Sequence, residues 1–232
     1  NVSVETIRRD LRILDYQGFV KRKYGGAVKA AEKAQEIPYT DRLVQYKQEK
    51  EAIAKKAAKL LREGDSLFID GKTSALTFAR HIPEHLELSV VTNSIHVANE
   101  LIQHKPACEV FLTGGEVNSD GLMTGPKFHQ GLRDFHVDKA FFSAIAVNET
   151  GCYYTRTEPQ QLARILKEIS KELVLLADSS KINKIALLYG LGIDDLNVIV
   201  TDEEVPENFA YSIESTASEL IIAPLQQDDD SS

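Results

Sequence analysis

The sequence predicts an α/β fold in which a mainly parallel sheet is flanked by helices. Two observations predict this class: short apolar runs alternate with runs of helical periodicity, and the apolar runs are continuous, as in strands buried on both faces. The predicted strands are 66–70, 89–92, 109–113, 139–144, 173–177 and 197–201. The predicted helices between them are 73–81, 95–103, 126–135 and 159–170. In such sheets ligands bind beyond the carboxyl ends of the strands, so we expect the chemistry there.

A short amphipathic helix is predicted at the start of the chain. Ser3 is a favourable N-cap, and Val4, Ile7, Leu11 and Leu14 recur at helical spacing. The other face carries Glu5, Thr6, Arg8, Arg9 and Arg12. An arginine-rich face is usually only solvated, but guanidinium groups also suit guanine edges and phosphates in a DNA major groove.

A basic hairpin is predicted directly after this helix. Gly18 ends the helix, and Phe19 and Val20 begin a strand-like run. The hairpin then contains, in order, Lys21, Arg22, Lys23, Tyr24, Gly25 and Gly26. Adjacent glycines favour a tight turn, and cations beside it suit a neighbouring phosphate. The helix and the hairpin together supply the candidate DNA-binding residues.

A linker is expected to separate this basic segment from the α/β part. The stretch 28–41 is polar and irregular and contains Pro38, which disfavours a helix. A helix is predicted over 45–61, with an apolar stripe of Ile53, Ala57, Leu60 and Leu61. We therefore divide the chain into a basic segment (1–30), a linker (31–44), an α/β unit (45–225) and an acidic tail (226–232).

Polar residues follow the predicted strands at nearly every opportunity. The runs are Asp70-Gly71-Lys72-Thr73-Ser74, Thr92-Asn93-Ser94, Thr113-Gly114-Gly115-Glu116, Gly121-x-x-x-Gly125 and Asp178-Ser179-Ser180-Lys181. Small hydroxyl residues and glycines at helix starts expose backbone N–H groups, and a lysine adds a point charge, so these loops suit a phosphate or another anion. Each loop alone is more often only a helix cap.

Charge is unevenly distributed along the chain. The 232 residues have a net charge of −8, yet residues 1–30 carry seven cations and three carboxylates, a net charge of +4. The remainder therefore carries −12, which would repel DNA. Any DNA binding is expected in the basic segment alone.

Several function classes are not favoured. Cys108 and Cys152 lack metal-ligand or redox spacing and the histidines form no ligand motif, so no metal is expected. Gly190-Leu191-Gly192 lacks the third glycine of a dinucleotide fingerprint, so no cofactor is expected. No run approaches about 18 apolar residues and no basic-then-apolar leader pattern occurs, so we expect no membrane partner and a cytoplasmic protein.

The first motifs resemble a known family of DNA-binding proteins. Ser3-Val4-x-Thr6-Ile7-Arg8-Arg9-Asp10-Leu11, followed by Arg22-x-Tyr24-Gly25-Gly26-Ala27, resembles the recognition helix and wing of DeoR-family bacterial transcriptional regulators. In that family two further helices precede the recognition helix. The resemblance therefore implies that 1–30 is the C-terminal part of a truncated winged helix-turn-helix domain. A lone helix is marginal in water, so we expect these 232 residues to bind operator DNA weakly.

Motifs in the rest of the chain resemble the effector domain of the same family. They include Arg42 with Lys50, Val90-Val91-Thr92-Asn93-Ser94, Leu112-Thr113-Gly114-Gly115 and Ala177-Asp178-Ser179-Ser180-Lys181. The resemblance implies a fold similar to ribose-5-phosphate isomerase and an effector that is a phosphorylated sugar or sugar alcohol. It implies that Lys72, Thr73 and Ser74 hold the phosphate, that Asn93, Gly114, Gly115 and Gly125 shape the pocket, and that Lys181 holds charge or hydroxyls. Asp70, Arg42 and Lys50 complete the candidate effector site, although Arg42 and Lys50 could instead only pair with acidic neighbours.

Two positions depart from the family pattern. Lys72 stands where the family usually has glycine, and Ile145 lies in a run after Asp138 where many relatives have an aspartate. An isomerase needs a carboxylate or an equivalent base to move a proton between carbons, and Ile145 cannot serve. No catalytic residue is therefore expected.

Two hypotheses of different classes follow. The leading one is a homo-oligomeric repressor of a carbohydrate-use operon, which binds double-stranded operator DNA and senses a phosphorylated sugar or sugar alcohol. The alternative is a sugar-phosphate isomerase-like enzyme with a base near Asp138. The arginine-rich helix and its wing favour the regulator.

Overall fold

The computed structural model describes residues 3–16, 20–23, 26–29, 32–34 and 37–225. The chain forms two compact units, Asn1–Lys33 and Ala34–Ser232. The linker predicted over 31–44 is not a uniform irregular stretch, because a helix begins at Tyr39. Pro38 precedes that helix instead of blocking it, since a proline just before the first turn removes no hydrogen bond.

The first unit contains the predicted helix and hairpin. Helix α1 (Val4–Tyr16) is followed by the antiparallel pair β1 (Val20–Lys23) and β2 (Gly26–Lys29), and then by the short β3 (Glu32–Lys33). Ser3 caps α1, because its Oγ accepts the backbone N–H of Thr6 at 3.2 Å. The helix, its cap and the hairpin are confirmed. The predictions for Gly18, Phe19, Tyr24 and Gly25 fall outside the described residues.

The apolar stripe of α1 is uncovered at its amino end. Val4 is 65% exposed and Ile7 is 49% exposed, whereas Leu11 is half-buried. Within the described residues of this unit, nothing packs over the first turns. Most helical stability in proteins comes from burying such a stripe, so Val4 and Ile7 contribute little to the stability of α1.

The second unit is built from many short elements. Its strands are β4 (Ser66–Ile69), β5 (Leu88–Thr92), β6 (Cys108–Leu112), β7 (Glu116–Val117), β8 (Met123–Thr124), β9 (Val137–Phe142), β10 (Ala146–Asn148), β11 (Gly151–Tyr154), β12 (Ser170–Leu176), β13 (Lys184–Ile185), β14 (Leu188–Gly192), β15 (Val198–Asp202) and β16 (Glu219–Ala223). Its helices are α2 (Tyr39–Val44), α3 (Lys47–Ala57), α4 (Thr73–Arg80), α5 (Ile95–His104), α6 (Gly125–Leu132), α7 (Thr157–Ile169) and α8 (Glu207–Glu214). Single 3₁₀ turns cover Ala58–Leu60, Ser179–Lys181 and Ile193–Asp195.

Seven strands form the central sheet in the order β16-β15-β12-β9-β4-β5-β6, with every neighbouring pair parallel. The predicted fold class is confirmed, and all six predicted strands lie in this sheet. The seventh, β16, was not predicted. It forms one edge of the sheet and is only partly buried, so its sequence signal is weaker.

Both faces of the sheet are buried. Leu67 and Ile69 of β4 pack into one apolar cluster, and Phe68 between them packs into the other. On the first of these faces Phe78 of α4 stacks on Phe141 of β9, with ring centroids 4.1 Å apart. Helices therefore cover each face, as the continuous apolar strands predicted.

A separate three-stranded sheet, ordered β10-β11-β14, was not predicted. Gly190 and Gly192, which superficially resemble a nucleotide-binding motif, lie in β14 of this sheet.

Among the described residues, no helix combines the length and the apolar composition that a membrane-spanning helix requires.

Candidate ligand site and DNA-facing surface

Polar loops meet where the central parallel strands end. Asp70 follows β4, Asn93 follows β5, Ser143 follows β9 and Asp178 follows β12, and all four side chains are buried. The Gly71 N–H donates to Asn93 Oδ1 at 3.1 Å, which ties two of these loops together. The parallel register thus assembles the edge at which a ligand was expected.

One cleft at this edge is strongly cationic, and we call it the lysine cleft. It encloses about 700 Å³, counting the space open to solvent at its mouth. Its charged lining residues are Arg42, Lys50, Lys181, Lys184 and Asp178. Among the described residues, four cations and one carboxylate line this cleft, in a chain whose net charge is −8, and Arg42 is also paired with Asp120. Such a surplus of positive charge attracts a dianion.

Lys181 is held at the floor of the lysine cleft. Its Nζ donates to Ser143 Oγ at 2.9 Å and lies 3.4 Å from Ser74 Oγ. It also lies 3.3 Å from a carboxylate oxygen of Asp178. Burial opposes ionisation of Asp178, but Lys181 and nearby hydrogen bonds outweigh it and lower the pKa of that carboxyl. Asp178 is thus an ionised acceptor, able to bind a hydroxyl but poorly suited to take up a proton.

Lys50 reaches the same cleft from α3. Its side chain is buried, and its Nζ donates to the backbone carbonyls of Arg42 and Gln45. Burial and, next in size, the nearby charge of Lys181 lower the pKa of Lys50 to about 8. An anion beside both ammonium groups would relieve this repulsion.

A second cleft lies on the other side of Arg42, enclosing about 600 Å³ with the space at its mouth. It contains Asp70, Lys72 and Asn93, together with Arg156, Glu158 and an apolar wall. Arg42 lines both clefts, and its Nη2 binds Asp120 at 3.1 Å. The Nε of Arg42 is buried without a hydrogen-bond partner among the described residues, so a donor remains for a ligand.

The predicted effector residues are therefore divided between two clefts. Thr73, Lys181 and Lys50 line the lysine cleft, with Ser74 at its floor. Asp70, Lys72 and Asn93 line the second cleft. The sequence grouped Lys72 with Thr73, but adjacent residues at the start of a helix face different directions.

The three predicted pocket glycines line neither cleft. The Gly125 N–H, at the start of α6, donates to Glu158 Oε1 at 2.9 Å, so a carboxylate of the chain itself occupies that helix end. Gly115 has φ +137°, and a Cβ there would lie 2.7 Å from the Thr124 carbonyl oxygen. Gly114 has open space where a Cβ would be. Gly115 is thus required by the backbone, and Gly114 is not.

Asp138 lies near the start of β9, at the amino ends of the parallel strands and opposite the carboxyl ends where the polar loops meet. It binds Lys171 at 2.7 Å and accepts hydrogen bonds from the N–H and Oγ of Ser66. The hydrogen bond from Lys171, followed by those from Ser66, lowers the pKa of Asp138. The hypothesis of a base near Asp138 is therefore wrong for this edge of the sheet. Ile145, in contrast, does line the lysine cleft.

The first unit carries most of the predicted DNA-facing residues on α1, its N-cap and β1. Those on α1 that are exposed are Ser3, Glu5, Thr6, Arg8, Arg9 and Arg12. Lys21, Arg22 and Lys23 lie on β1 of the hairpin. Tyr24 falls outside the described residues. A basic helix followed by a basic hairpin has the form of a DNA-reading helix and wing.

Both parts of the chain match known protein families. Residues 1–33 match the DeoR-like helix-turn-helix domain, and residues 45–203 match the DeoR C terminal sensor domain. The molecule therefore combines DNA-binding and sensing units, as ligand-responsive transcription regulators do. The chain belongs to the DeoR family of DNA-binding transcriptional regulators.

Relatives of nearly full length support this membership. The chain is 32% identical to the transcriptional repressor AccR of Agrobacterium fabrum, over 89% of this chain and 83% of the relative. It is 28% identical to the transcriptional repressor GlcR of Bacillus subtilis, over 95% and 85%. It is also 28% identical to a putative aga operon transcriptional repressor of Escherichia coli O157:H7, over 95% and 83%.

Two solved structures show more distant likeness. The delta subunit of eIF2B from Chaetomium thermophilum matches with a TM-score of 0.51 at 12% identity, over 68% of this chain and 56% of that chain. Ribose 5-phosphate isomerase A from Methanocaldococcus jannaschii matches with a TM-score of 0.41 at 22% identity, over 57% and 53%. The chain spans about half the length of each. The first likeness concerns the fold alone.

Sequence reasoning missed several residues of the two clefts. Ser143 anchors Lys181, and Asp120 binds Arg42. Asp178 belongs to a predicted strand-end loop and effector motif without a role of its own, although its place three residues before Lys181 indicates an ion pair. Nothing in the sequence signals that Ser143 meets Lys181, because β9 and β12 become neighbours only in the sheet.

Gly115 and Gly114 form a matched pair for a stability test. Gly115→Ala should lower the free energy of unfolding by about 2–4 kcal/mol, because the new methyl group meets a backbone carbonyl at a positive φ. Gly114→Ala should change it by less than about 1 kcal/mol, since nothing lies near. Urea unfolding measures both variants. Equal losses at the two positions would contradict the backbone geometry.

Proposed function

We propose that this protein is a repressor of carbohydrate-use genes whose second unit senses a phosphorylated sugar or sugar alcohol. The observation that carries this proposal is the convergence of Lys50, Lys181 and Arg42 on a cleft in which Asp178 is the one carboxylate among the described lining residues. A phosphate group suits this charge surplus, because ammonium and guanidinium groups form strong charge-assisted hydrogen bonds with it.

The hydroxyl groups of the effector have suitable partners on both sides of Arg42. Asp178 in the lysine cleft is an acceptor, and Asp70 and Asn93 in the second cleft are buried polar groups. Burial raises the pKa of the Asp70 carboxyl, against the opposing charge of Lys72. This mixture of acceptors and donors suits a polyol chain, whereas the lysine cleft suits the phosphate.

We propose a sensor and not an isomerase. Ile145 in the lysine cleft cannot accept a proton, and Asp138 lies at the other edge of the sheet. The names of the relatives, all transcriptional regulators, agree with this. The relative named for the aga operon also supports an operon as the target.

The partner of the first unit is proposed to be a double-stranded operator. Arg8 and Arg9 on the exposed face of α1 suit base edges and phosphates, and the basic strand β1 suits an adjacent phosphate. We further propose a homo-oligomer, because two reading units are needed for two half-sites. The effector can act only by binding the DNA-competent and incompetent arrangements unequally, and we propose that it favours the latter.

Arg8→Ala tests the reading surface. We expect operator affinity to fall by about 1–3 kcal/mol while binding to unrelated DNA changes less, because a guanidinium–base contact carries specificity. Fluorescence anisotropy at low salt with both DNAs measures this. Arg62→Ala, an exposed arginine of the second unit, is the matched control and should leave both affinities unchanged. Wild-type operator binding by Arg8→Ala would contradict the proposal.

Lys181→Ala tests the sensing site. The variant should bind operator normally but require at least about tenfold more sugar phosphate for release, since a buried charged contact is worth about 1.5–3 kcal/mol. Titrating the protein–operator complex with a panel of sugar phosphates measures the response. Release at wild-type concentrations would show that the effector binds elsewhere.

The lysine cleft should bind a dianion less tightly at high pH. The pKa of Lys50 is about 8, below its usual value of 10.5, and a bound anion raises it again, so binding takes up a proton above that pKa. Sulfate, whose charge does not change, should therefore bind up to about tenfold more weakly at about pH 9 than at about pH 7.

Calorimetry at the two pH values measures this change in sulfate affinity, and variants test whether Lys50 causes it. The groups around Lys50 are Lys181, Asp178, Arg42 and Glu49. Lys50→Met should abolish the dependence and Lys47→Met, on the exposed side of α3, should keep it. Equal affinity at both pH values in the native protein would contradict this.

A further inference from the structure

Helix α2 is held in the second unit by few contacts. It has only six residues, none of them buried, and its N-cap residue Pro38 offers no side-chain hydrogen bond. Such a short helix is unstable by itself, because nucleation is unfavourable and few backbone bonds form. Its conformation therefore depends on the side chains that contact it.

Two cations help to hold α2, beside the stacking of Tyr39 on His96 with ring centroids 5.6 Å apart. Arg42, in α2 itself, binds Asp120 at 3.1 Å, and its guanidinium lies 5.4 Å from the centre of the Tyr39 ring. Lys50, from α3, donates to the carbonyls of Arg42 and Gln45 at the carboxyl end of α2. An ammonium group there satisfies orphan carbonyls and opposes the negative end of the helix dipole.

Lys50 also faces the lysine cleft, where the anion is proposed to bind. It lines the lysine cleft together with Lys181, and Lys181 disfavours its charged form. An ammonium group has three N–H donors, and the two carbonyls of α2 take two of them. One side chain thus has donors for both α2 and an anion in the cleft.

We propose that Lys50 couples occupancy of the lysine cleft to the stability of α2. An anion between Lys50 and Lys181 neutralises their repulsion and fixes the ammonium of Lys50, which then holds the carbonyls of Arg42 and Gln45 more firmly. Helix α2 is accordingly more ordered when the cleft is occupied. This inference rests on the proposed anion site and names the element by which that site is regulated.

The proposed coupling acts on one helix, α2, and occupancy of the lysine cleft increases the order of that helix. Along the chain, α2 is the first helix after the DNA-reading unit, which ends at Lys33. A short helix with few contacts is an element whose equilibrium a ligand can bias with a modest gain in interaction energy. The Arg42–Asp120 pair does not replace Lys50, because it holds the side chain of Arg42 and leaves the carbonyls at the end of the helix to Lys50.

Hydrogen–deuterium exchange of the full chain, with and without millimolar inorganic phosphate, tests this proposal. The reporters are the amides of Arg42 and Gln45, which donate to the carbonyls of Pro38 and Asp41. Phosphate should slow exchange in peptides covering 39–46 by roughly 3- to 10-fold in the native protein. Phosphate binding is measured in parallel by calorimetry.

Three variants separate the roles. Lys50→Met should exchange faster over 39–46 and lose the phosphate response, and Lys47→Met, on the same helix but exposed, should behave as the native protein. Lys181→Met keeps the contacts between Lys50 and α2, so its exchange without phosphate should not be faster than that of the native protein, but phosphate should no longer slow it. This variant keeps the test decisive if Lys50→Met fails to fold.

The outcomes distinguish the two proposals. If phosphate binds to the native protein but exchange over 39–46 is unchanged, the coupling through Lys50 is overturned and the anion site stands. If phosphate protects 39–46 equally in native protein and Lys50→Met, another contact holds α2 and the inference is also overturned. If the native protein does not bind phosphate at all, the proposed site fails and this inference fails with it.

Discussion

The parallel pairing of β12, β9, β4 and β5 is the constraint on which the site depends. Parallel strands end at the same edge, so residues that follow β4, β9 and β12 become neighbours although they are far apart in sequence. The contact between Lys181 and Ser143 exists only because of this register. An antiparallel arrangement of the same strands would scatter these groups over both edges. The buried apolar faces maintain the register, and the register maintains the site.

The carboxyl ends of the central strands differ from the rest of the second unit because positive charge is concentrated there. The 199 residues of that unit are acidic overall, yet the described lining of the lysine cleft has four cations and one carboxylate. Like charges in a partly buried space are unfavourable, as the lowered pKa of Lys50 indicates. A protein maintains such an arrangement more readily if an anion relieves it. The described part of the cleft is thus suited to attract an anion.

Sequence patterns predicted most of the fold because continuous apolar strands and helical stripes reflect burial directly. They also predicted the capped helix and hairpin of the first unit. They failed for α2, which buries no residue, and for the β10-β11-β14 sheet, whose short strands lack a clear period. Within the site, strand-end loops could be recognised, but not their three-dimensional neighbours. A linear motif does not show that the adjacent residues Lys72 and Thr73 line different clefts. It also does not show that Asp138 lies at the amino ends of the parallel strands.

We infer that Lys50 and Lys181 hold a dianion between them. Anomalous diffraction from crystals of the full chain grown with tungstate, a tetrahedral dianion, tests this binding site. We expect a tungstate peak within hydrogen-bond distance of both ammonium nitrogens, and its loss in crystals of Lys181→Met. Tungstate found only at other surfaces, with the lysine cleft empty, would rule out this binding site.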